Sequence, residues 1–294
     1  MKIGSLCTGY GGLDLAAETY FGGHTVWTAD IDKYASIVIK ERFDVPNYGD
    51  LTQVDWSTVE PIDILTAGYP CQPFSHAGER KGKNDKRHIW PHIKRAISEL
   101  RPKFVILENV RGHLTLGFDT VLGDLTEIGY DAKWSLVSAA DVGAPHKRER
   151  LFVVAYPNSN ACEESRRTDR SIPNKTSEIV NGSNRHVNRG SSTTSNTHNE
   201  HKSHNGQVQK LGRRFTPRCE MHLQSAPNAL VEGKLNSRFV EYMMGLPAGW
   251  VTDIGLSNAQ TLKMLGNGVV PQQAEYALEI LCGKSHNIVS QIVR

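Results

Sequence analysis

A doubly wound α/β fold with a mostly parallel sheet is predicted by three observations. Apolar runs of strand length alternate with helical segments through residues 1–155, the first run ends in the glycine turn "CTGYGGLD", and the acid Asp30 closes the second run. Strands that alternate with helices imply parallel pairing through right-handed crossovers, which places functional groups at the carboxyl ends of the strands.

Taken in order, "KIGSLCTG" reads as a strand and "GLDLAAETYF" as the helix after it; "HTVWTAD" is the second strand and "DKYASIVIKERF" the second helix. The apolar run "IDILTAG" follows, then a helix near "PHIKRAISEL", the strand "KFVILENV", a helix near "FDTVLGDLTEIG", and the strands "DAKWSLVSA" and "RLFVVAY". From about Asn158 to Asn236 the composition becomes polar and small, as in "NGSNRHVNRGSSTTSNTHNEHKSHNGQ", with too little apolar surface to offset the entropy of ordering it, so loop or disorder is expected. Structure is expected to resume with "SRFVEYMMGLPAGW", helical in its first half and ended by Gly245, Pro247 and Gly249. A last helix begins near Pro271 with Ala274, Ala277, Leu278 and Leu281 on one face, and it is expected to pack back on the first domain. The division expected is residues 1–157, 158–236 and 237–294, with no internal repeat.

A chain of 294 residues can bury a sizeable core, as one large domain or as a domain with a smaller companion. No apolar run approaches the ~18 residues of a membrane span and no secretory leader is read, so a cytoplasmic location away from membranes is the expectation. Cys7, Cys71, Cys162, Cys219 and Cys282 are an odd number at irregular spacing, which excludes a disulfide framework and makes reduced thiols the default. The net charge of +3 is unevenly spread: residues 160–218 hold 11 Lys and Arg against 5 Asp and Glu. A basic segment on a nearly balanced body suits phosphate contacts or a solvated tail equally, and Arg166, Arg167, Arg213 and Arg214 carry both readings.

The chemistry-bearing residues gather at one sheet edge. Gly9, Gly11 and Gly12 with Asp30 have the layout of a nucleoside site, where glycines admit the ligand to the backbone and the acid accepts ribose hydroxyls. They do not spell the full dinucleotide fingerprint, and a tight strand-to-helix turn without a ligand remains open. Asp50 in "YGDLTQVDW" reads as a further strand-tip acid or as a turn residue. Cys71 lies between Pro70 and Pro73 in "AGYPCQPFSHAG"; prolines restrict the backbone on both sides, and a thiolate is a strong nucleophile. Glu108 ends the apolar strand "FVILENV", where a carboxylate must find a partner or rise in pKa. In "HKRERLFVVA" the period of two puts Arg148 and Arg150 on one face at the mouth of a strand. His198, His201 and His204 with Cys162, Cys219 and His222 are too loosely spaced for a metal site, and no metal is expected.

The motifs "CTGYGGLD", "GYPCQPFS", "ENV", "PHKRER" and "LGNGVVP", in this order, resemble those of the DNA (cytosine-5) methyltransferases of bacteria and their phages over residues 2–156 and 237–282. The resemblance implies a Rossmann-like methyltransferase domain that binds S-adenosylmethionine and double-stranded DNA, with the polar middle as a small, irregular target-recognition region. It implies Cys71 as the nucleophile toward carbon 6 of a flipped cytosine, Glu108 at ring nitrogen 3, Arg150 at the cytosine oxygen and Arg148 supporting the nucleophile loop. For the cofactor it implies Cys7, Gly9, Gly11, Gly12, Asp30, Ile31, Asp50, Pro70, Asn267 and Val269. A monomer is expected, in a restriction-modification system with a cognate endonuclease or in phage self-protection. The chain departs from the family at Cys7, where phenylalanine is usual, at His146, where glutamine is usual, and at Asp30, where glutamate is frequent. An RNA cytosine-5 methyltransferase shares the chemistry; a nicotinamide oxidoreductase leaves "PCQPFS", "ENV" and "KRER" unexplained; and a binding module without catalysis sits poorly with Cys71, Glu108 and Arg150 together.

Overall fold

The structure, a computed structural model, describes residues 1–70, 89–158 and 226–283. Its sheet has six strands: β1 (Lys2–Leu6), β2 (His24–Ala29), β3 (Ile64–Gly68), β4 (Phe104–Val110), β5 (Tyr130–Val137) and β6 (Arg150–Pro157). The spatial order is β2-β1-β3-β4-β6-β5, with the first four mutually parallel and β6 antiparallel to both neighbours. Helices α1 (Gly12–Phe21), α2 (Lys33–Arg42), α3 (Trp90–Leu100) and α4 (Phe118–Glu127) follow β1, β2, β3 and β4 in the chain. The link between β5 and β6 holds only a short 3-10 turn, Ala139–Val142. A parallel return needs a crossover of a dozen or more residues, usually helical, and this link turns straight back.

The period of two divides each strand between two cores. Leu65, Val105, Leu107, Leu151 and Val153 face α3 and α4, meeting Trp90, Ile93, Ile97, Val121 and Leu125. Ile3, Ile64, Ile106, Phe152 and Val154 face the other way, toward Leu13 and Ala17 of α1.

The C-terminal segment supplies α5 (Ser237–Met243), α6 (Asn258–Asn267) and α7 (Pro271–Cys282), after a two-strand hairpin of β7 (Leu230–Val231) and β8 (Lys234–Leu235). Ala274, Ala277, Leu278 and Leu281 of α7 are buried against α1 in the second core, on the face that the sequence marks as apolar. Helix α6 is absent from the sequence reading. Its start is a capping box in which the Ser257 side chain accepts from Gln260 N and the Gln260 side chain accepts from Ser257 N. Two close approaches fix this segment on the glycine turn. A Cβ on Gly12 would stand 2.1 Å from Val269 O, and one on Gly268 would stand 1.9 Å from the Tyr10 ring, so both positions exclude any side chain. No helix of the described residues is long and apolar enough to cross a membrane.

Buried Glu241 organises the turn between α5 and α6: its carboxylate accepts from Gly249 N at 2.8 Å, Val251 N at 2.6 Å, Thr252 N at 3.0 Å and Thr252 Oγ1 at 2.8 Å. Charge-assisted bonds to buried donors are costly to lose, so Glu241→Ala is expected to destabilise the fold by about 3 kcal/mol. Chemical denaturation checks this, and a loss within about 0.5 kcal/mol, the range of ordinary surface changes, would refute the assignment.

Candidate active site

One cleft of about 470 Å³ opens at the carboxyl ends of β1, β2, β3 and β4 and is closed from the far side by α6 and the residues after it. Its lining includes Cys7, Gly9, Gly12, Asp30, Pro70, Glu108, Arg150, Asn267 and Val269, residues more than 260 positions apart in sequence. The antiparallel course of β6 explains how Arg150 joins them. It begins the strand at the edge where the others end, opposite Val110 and two residues from the partner of Glu108, which is Phe152.

Glu108 is 7% exposed, and its Oε1 lies 3.0 Å from Arg150 Nε. Burial pushes the Glu108 pKa up to about 7, against the nearby Arg150 and Arg148 charges and the Arg150 hydrogen bond, which pull it down. Desolvation therefore outweighs a direct ion pair, and near neutral pH this carboxyl is poised to hold or give a proton.

Arg148 takes a different part from the one its spacing suggests. Its φ of 33° is left-handed and the strand starts only at Arg150, so the period of two does not extend to it. Its Nη2 donates to Gly266 O at 2.8 Å and Gly268 O at 2.7 Å, while Gln273 Nε2 donates back to Arg148 O at 2.7 Å and to Val137 O at 2.8 Å. With the Tyr10 hydroxyl donating to Val269 O at 2.6 Å, these bonds tie the C-terminal segment to the wall of the cleft. His146 Nε2 donates to Met243 O at 2.9 Å, a further tie to α5.

At the opposite wall, Asp30 Oδ2 accepts from Gly9 N and Oδ1 from Asp32 N, both at 2.8 Å, so the carboxylate is held in one orientation with lone pairs left over. Burial raises its pKa against these two bonds. A Cβ on Gly9 would meet nothing within 4 Å, which leaves open space beside the acid. An oriented acid, an open glycine turn and a cleft of this volume fit an adenosyl group. Burial and the Asp30 charge push the Cys7 thiol up to about 12, so Cys7 lines the cleft as a neutral thiol.

Gly11, Ile31 and Asp50 are not among the lining residues. Gly11 caps α1 with the Phe43 ring 2.3 Å from where its Cβ would be, Ile31 is 77% exposed, and Asp50 accepts from Thr52 N at 3.0 Å within its own turn. Cys71 and Pro73 lie outside the described residues, as do residues 159–225 with His198, His201, His204 and the arginines weighed for phosphate contacts. Among the described residues no group of three His, Cys, Asp or Glu is placed to hold a metal.

The residue before Pro70 is firmly held, a feature the sequence reading missed. Asn109 Nδ2 donates to Tyr69 O at 3.1 Å. His113 Nδ1 lies 2.9 Å from Leu116 O and so carries the proton; burial lowers its pKa, and its neutral Nε2 accepts from the Tyr69 hydroxyl at 3.0 Å. Asn109 of "ENV" was the available signal, since a polar residue at an apolar strand end needs a partner. Asp14, Gln260 and Lys263 also line the cleft unannounced by the sequence reading.

This strand order, with a glycine turn after β1 and an acid after β2, is that of a methyltransferase fold. The family model for C-5 cytosine-specific DNA methylase matches residues 1–210, and the chain belongs to that family. It is 36% identical over 160 residues to Type II methyltransferase M1.ScrFI of Lactococcus lactis subsp. cremoris, a match covering 53% of this chain and 41% of that protein. It is 36% identical over 163 residues to Type II methyltransferase M.HhaI of Haemophilus parahaemolyticus, covering 54% and 50%. The chain thus spans about half the length of the curated relatives it matches. Among solved structures, a mutant of Spodoptera frugiperda DNMT2 superposes with a TM-score of 0.65 at 16% identity, covering 95% of this chain and 98% of that one. A putative DNA modification methyltransferase encoded within an E. coli prophage gives 0.59 at 19% identity, covering 95% and 97%. At these identities the likeness is one of fold.

Proposed function

We propose that this chain methylates carbon 5 of cytosine in a specific sequence of double-stranded DNA, taking the methyl group from S-adenosylmethionine. The observation that carries the reading is Glu108: a buried carboxyl with a pKa near 7, paired with Arg150, on the same cleft as the glycine turn and Asp30.

The chemistry follows from the target. Carbon 5 of cytosine is a poor nucleophile until a nucleophile adds next to it, and the residue for this step is Cys71. Its thiolate forms a bond to carbon 6, and the ring electrons move onto carbon 5 as ring nitrogen 3 shares the Glu108 proton. Arg150 donates to the cytosine oxygen, where negative charge gathers, and holds Glu108 in place. When bound, S-adenosylmethionine supplies an electrophilic methyl group. Loss of the carbon 5 proton to solvent water then re-forms the double bond between carbons 5 and 6 and expels the thiolate, and ring nitrogen 3 returns its proton to Glu108. The adenosyl group is held by Cys7, Gly9, Gly12, Asp30, Pro70, Asn267 and Val269, all on the cleft. The target base is flipped out of the duplex, since the atom that reacts is stacked inside it. Residues 158–236 are the proposed recognition region, and the setting is restriction-modification or phage self-protection, with the chain acting as a monomer in the cytoplasm.

The test is transfer of labelled methyl to duplex DNA and to RNA, together with DNA carrying 5-fluorocytosine. Fluorine does not leave as a proton does, so the adduct is trapped, and peptide mapping is expected to place it on Cys71. Label in RNA alone, or a trapped adduct on another residue, overturns the reading.

A further inference from the structure

Beneath the glycine turn lies a carboxylate that the reaction above leaves unused. Asp14, 1% exposed, stands in the first turn of α1 and lines the cleft together with Ser5 and Thr66. On the face of the sheet that α1 covers, the side chains of β1 and β3 change from Ile3 and Ile64 to Ser5 and Thr66 one register step on, and Asp14 meets the sheet at this polar step. The Thr66 hydroxyl donates to Asp14 Oδ1, a Ser5 hydrogen bond also favours the ionised form, and the Ser5 hydroxyl lies 2.9 Å from that of Thr8.

The charge is the unexplained part. A buried carboxylate is costly to keep unless a cation meets it. Among the described residues, the charged side chain acting on Asp14 is Glu18, another acid one turn along the same helix. Partial compensation comes from the hydroxyls and from the start of α1, whose aligned peptide dipoles favour an anion. Burial raises the Asp14 pKa only to about 6, so at neutral pH it is ionised. An asparagine fits the same space and keeps a hydrogen bond to Thr66 without the penalty. The remaining direction in which a carboxylate can find its cation is the cleft that it lines.

We propose that Asp14 is the fixed counter-charge for the cationic part of the methyl donor, its sulfonium or its α-ammonium group, and thereby sets the preference of the cleft for charged adenosyl ligands. This rests on the reading of the cleft as the S-adenosylmethionine site. Asp30, which line the same cleft, serves the uncharged ribose hydroxyls, so the two acids divide the donor between them.

The test is calorimetric binding of S-adenosylmethionine and of S-adenosylhomocysteine, which lacks the sulfonium charge, to the full chain at pH 7.5, without DNA. Asp14→Asn is expected to weaken S-adenosylmethionine by roughly tenfold or more while the variant unfolds at or above the wild-type temperature, since a buried charge has been removed. Asp14→Ser is the second variant should the first fail to fold. Weakening of S-adenosylmethionine alone assigns the contact to the sulfonium; equal weakening of both ligands assigns it to the ammonium group. A folded variant that binds both as the wild type does overturns the inference. Failure of the wild type to bind either ligand instead overturns the reading of the cleft on which it rests.

Discussion

Glu108→Gln is expected to cut methyl transfer by about 10²- to 10⁴-fold with the fold intact, the usual worth of a positioned acid or base. The amide fills the carboxyl's place and can still hydrogen-bond, but it cannot give a proton to ring nitrogen 3. The pH profile separates this from a steric effect. On the proposed mechanism the thiolate of a cysteine nucleophile, with an ordinary pKa of ~8.5, grows as pH rises while the protonated form of Glu108 is lost above about 7, so single-turnover rates are expected to follow a bell. The Gln variant is expected to keep the rising limb alone; a bell of unchanged shape would exclude Glu108 as the group behind the falling limb. Stability gives a second readout with a definite sign. Because the folded pKa, at about 7, lies above the ~4.3 of a free glutamate, the native state binds more protons than the unfolded chain between those values. Wild-type stability therefore falls as pH rises through this window. The Gln variant lacks this loss, so its stability relative to wild type should improve between pH 4 and pH 8, by on the order of 2–3 kcal/mol.

The sequence carried most of this architecture because local signals and tertiary needs agree. Helix α1 was legible to the residue, bounded by glycines at 11 and 22, and α7 by the proline that opens it and its apolar face. The antiparallel turn of β6 was less legible, since "RLFVVAY" reads alike in either direction; only the short, helix-free link before it distinguishes the two. Helix α6 is weakly marked in the sequence because its apolar positions, Leu262, Met264 and Leu265, are few, and its one local signal is the capping box of Ser257 and Gln260. In the site, residue types at strand tips were readable from chemistry, as for Asp30, Glu108 and Arg150, all of which line the cleft. Partnerships across the chain were not. Arg148 bonds to Gly266 and Gly268 and Asn109 to Tyr69, and nothing in the spacing of these residues encodes a contact between elements that meet only in the folded protein. Asp14 was hidden for a related reason, because an acid in the first turn of a helix is ordinary and only its burial makes it a question.

Arg150→Ala is the counterpart of the Glu108 change, and its consequences should depend on pH. Loss of the guanidinium removes the donor proposed for the cytosine oxygen, and methyl transfer is expected to fall by about 10²- to 10³-fold, as for other preorganised donors aimed at developing negative charge. It also removes the cation that pulls the Glu108 pKa down most. With burial unchanged and Arg148 as the remaining nearby cation, the Glu108 pKa must rise above about 7, and the carboxyl stays protonated into the alkaline range. At pH 6 the variant then buries a neutral acid at modest cost; at pH 8.5 it must keep a proton taken from dilute solution or bury an unpaired charge. The destabilisation relative to wild type should therefore grow with pH, toward the 3–5 kcal/mol typical of breaking a buried pair. Denaturant midpoints at the two pH values measure this, and a difference that does not change with pH would mean that Arg150 does not control the Glu108 proton. Arg150→Lys refines the assignment: it restores a charge near Glu108, and with it much of the stability at pH 8.5. It does not restore the planar fork that can hold Glu108 and the cytosine oxygen at once, so transfer should stay low. Recovery of stability without recovery of rate would show that charge governs the folding of this pair and geometry its chemistry.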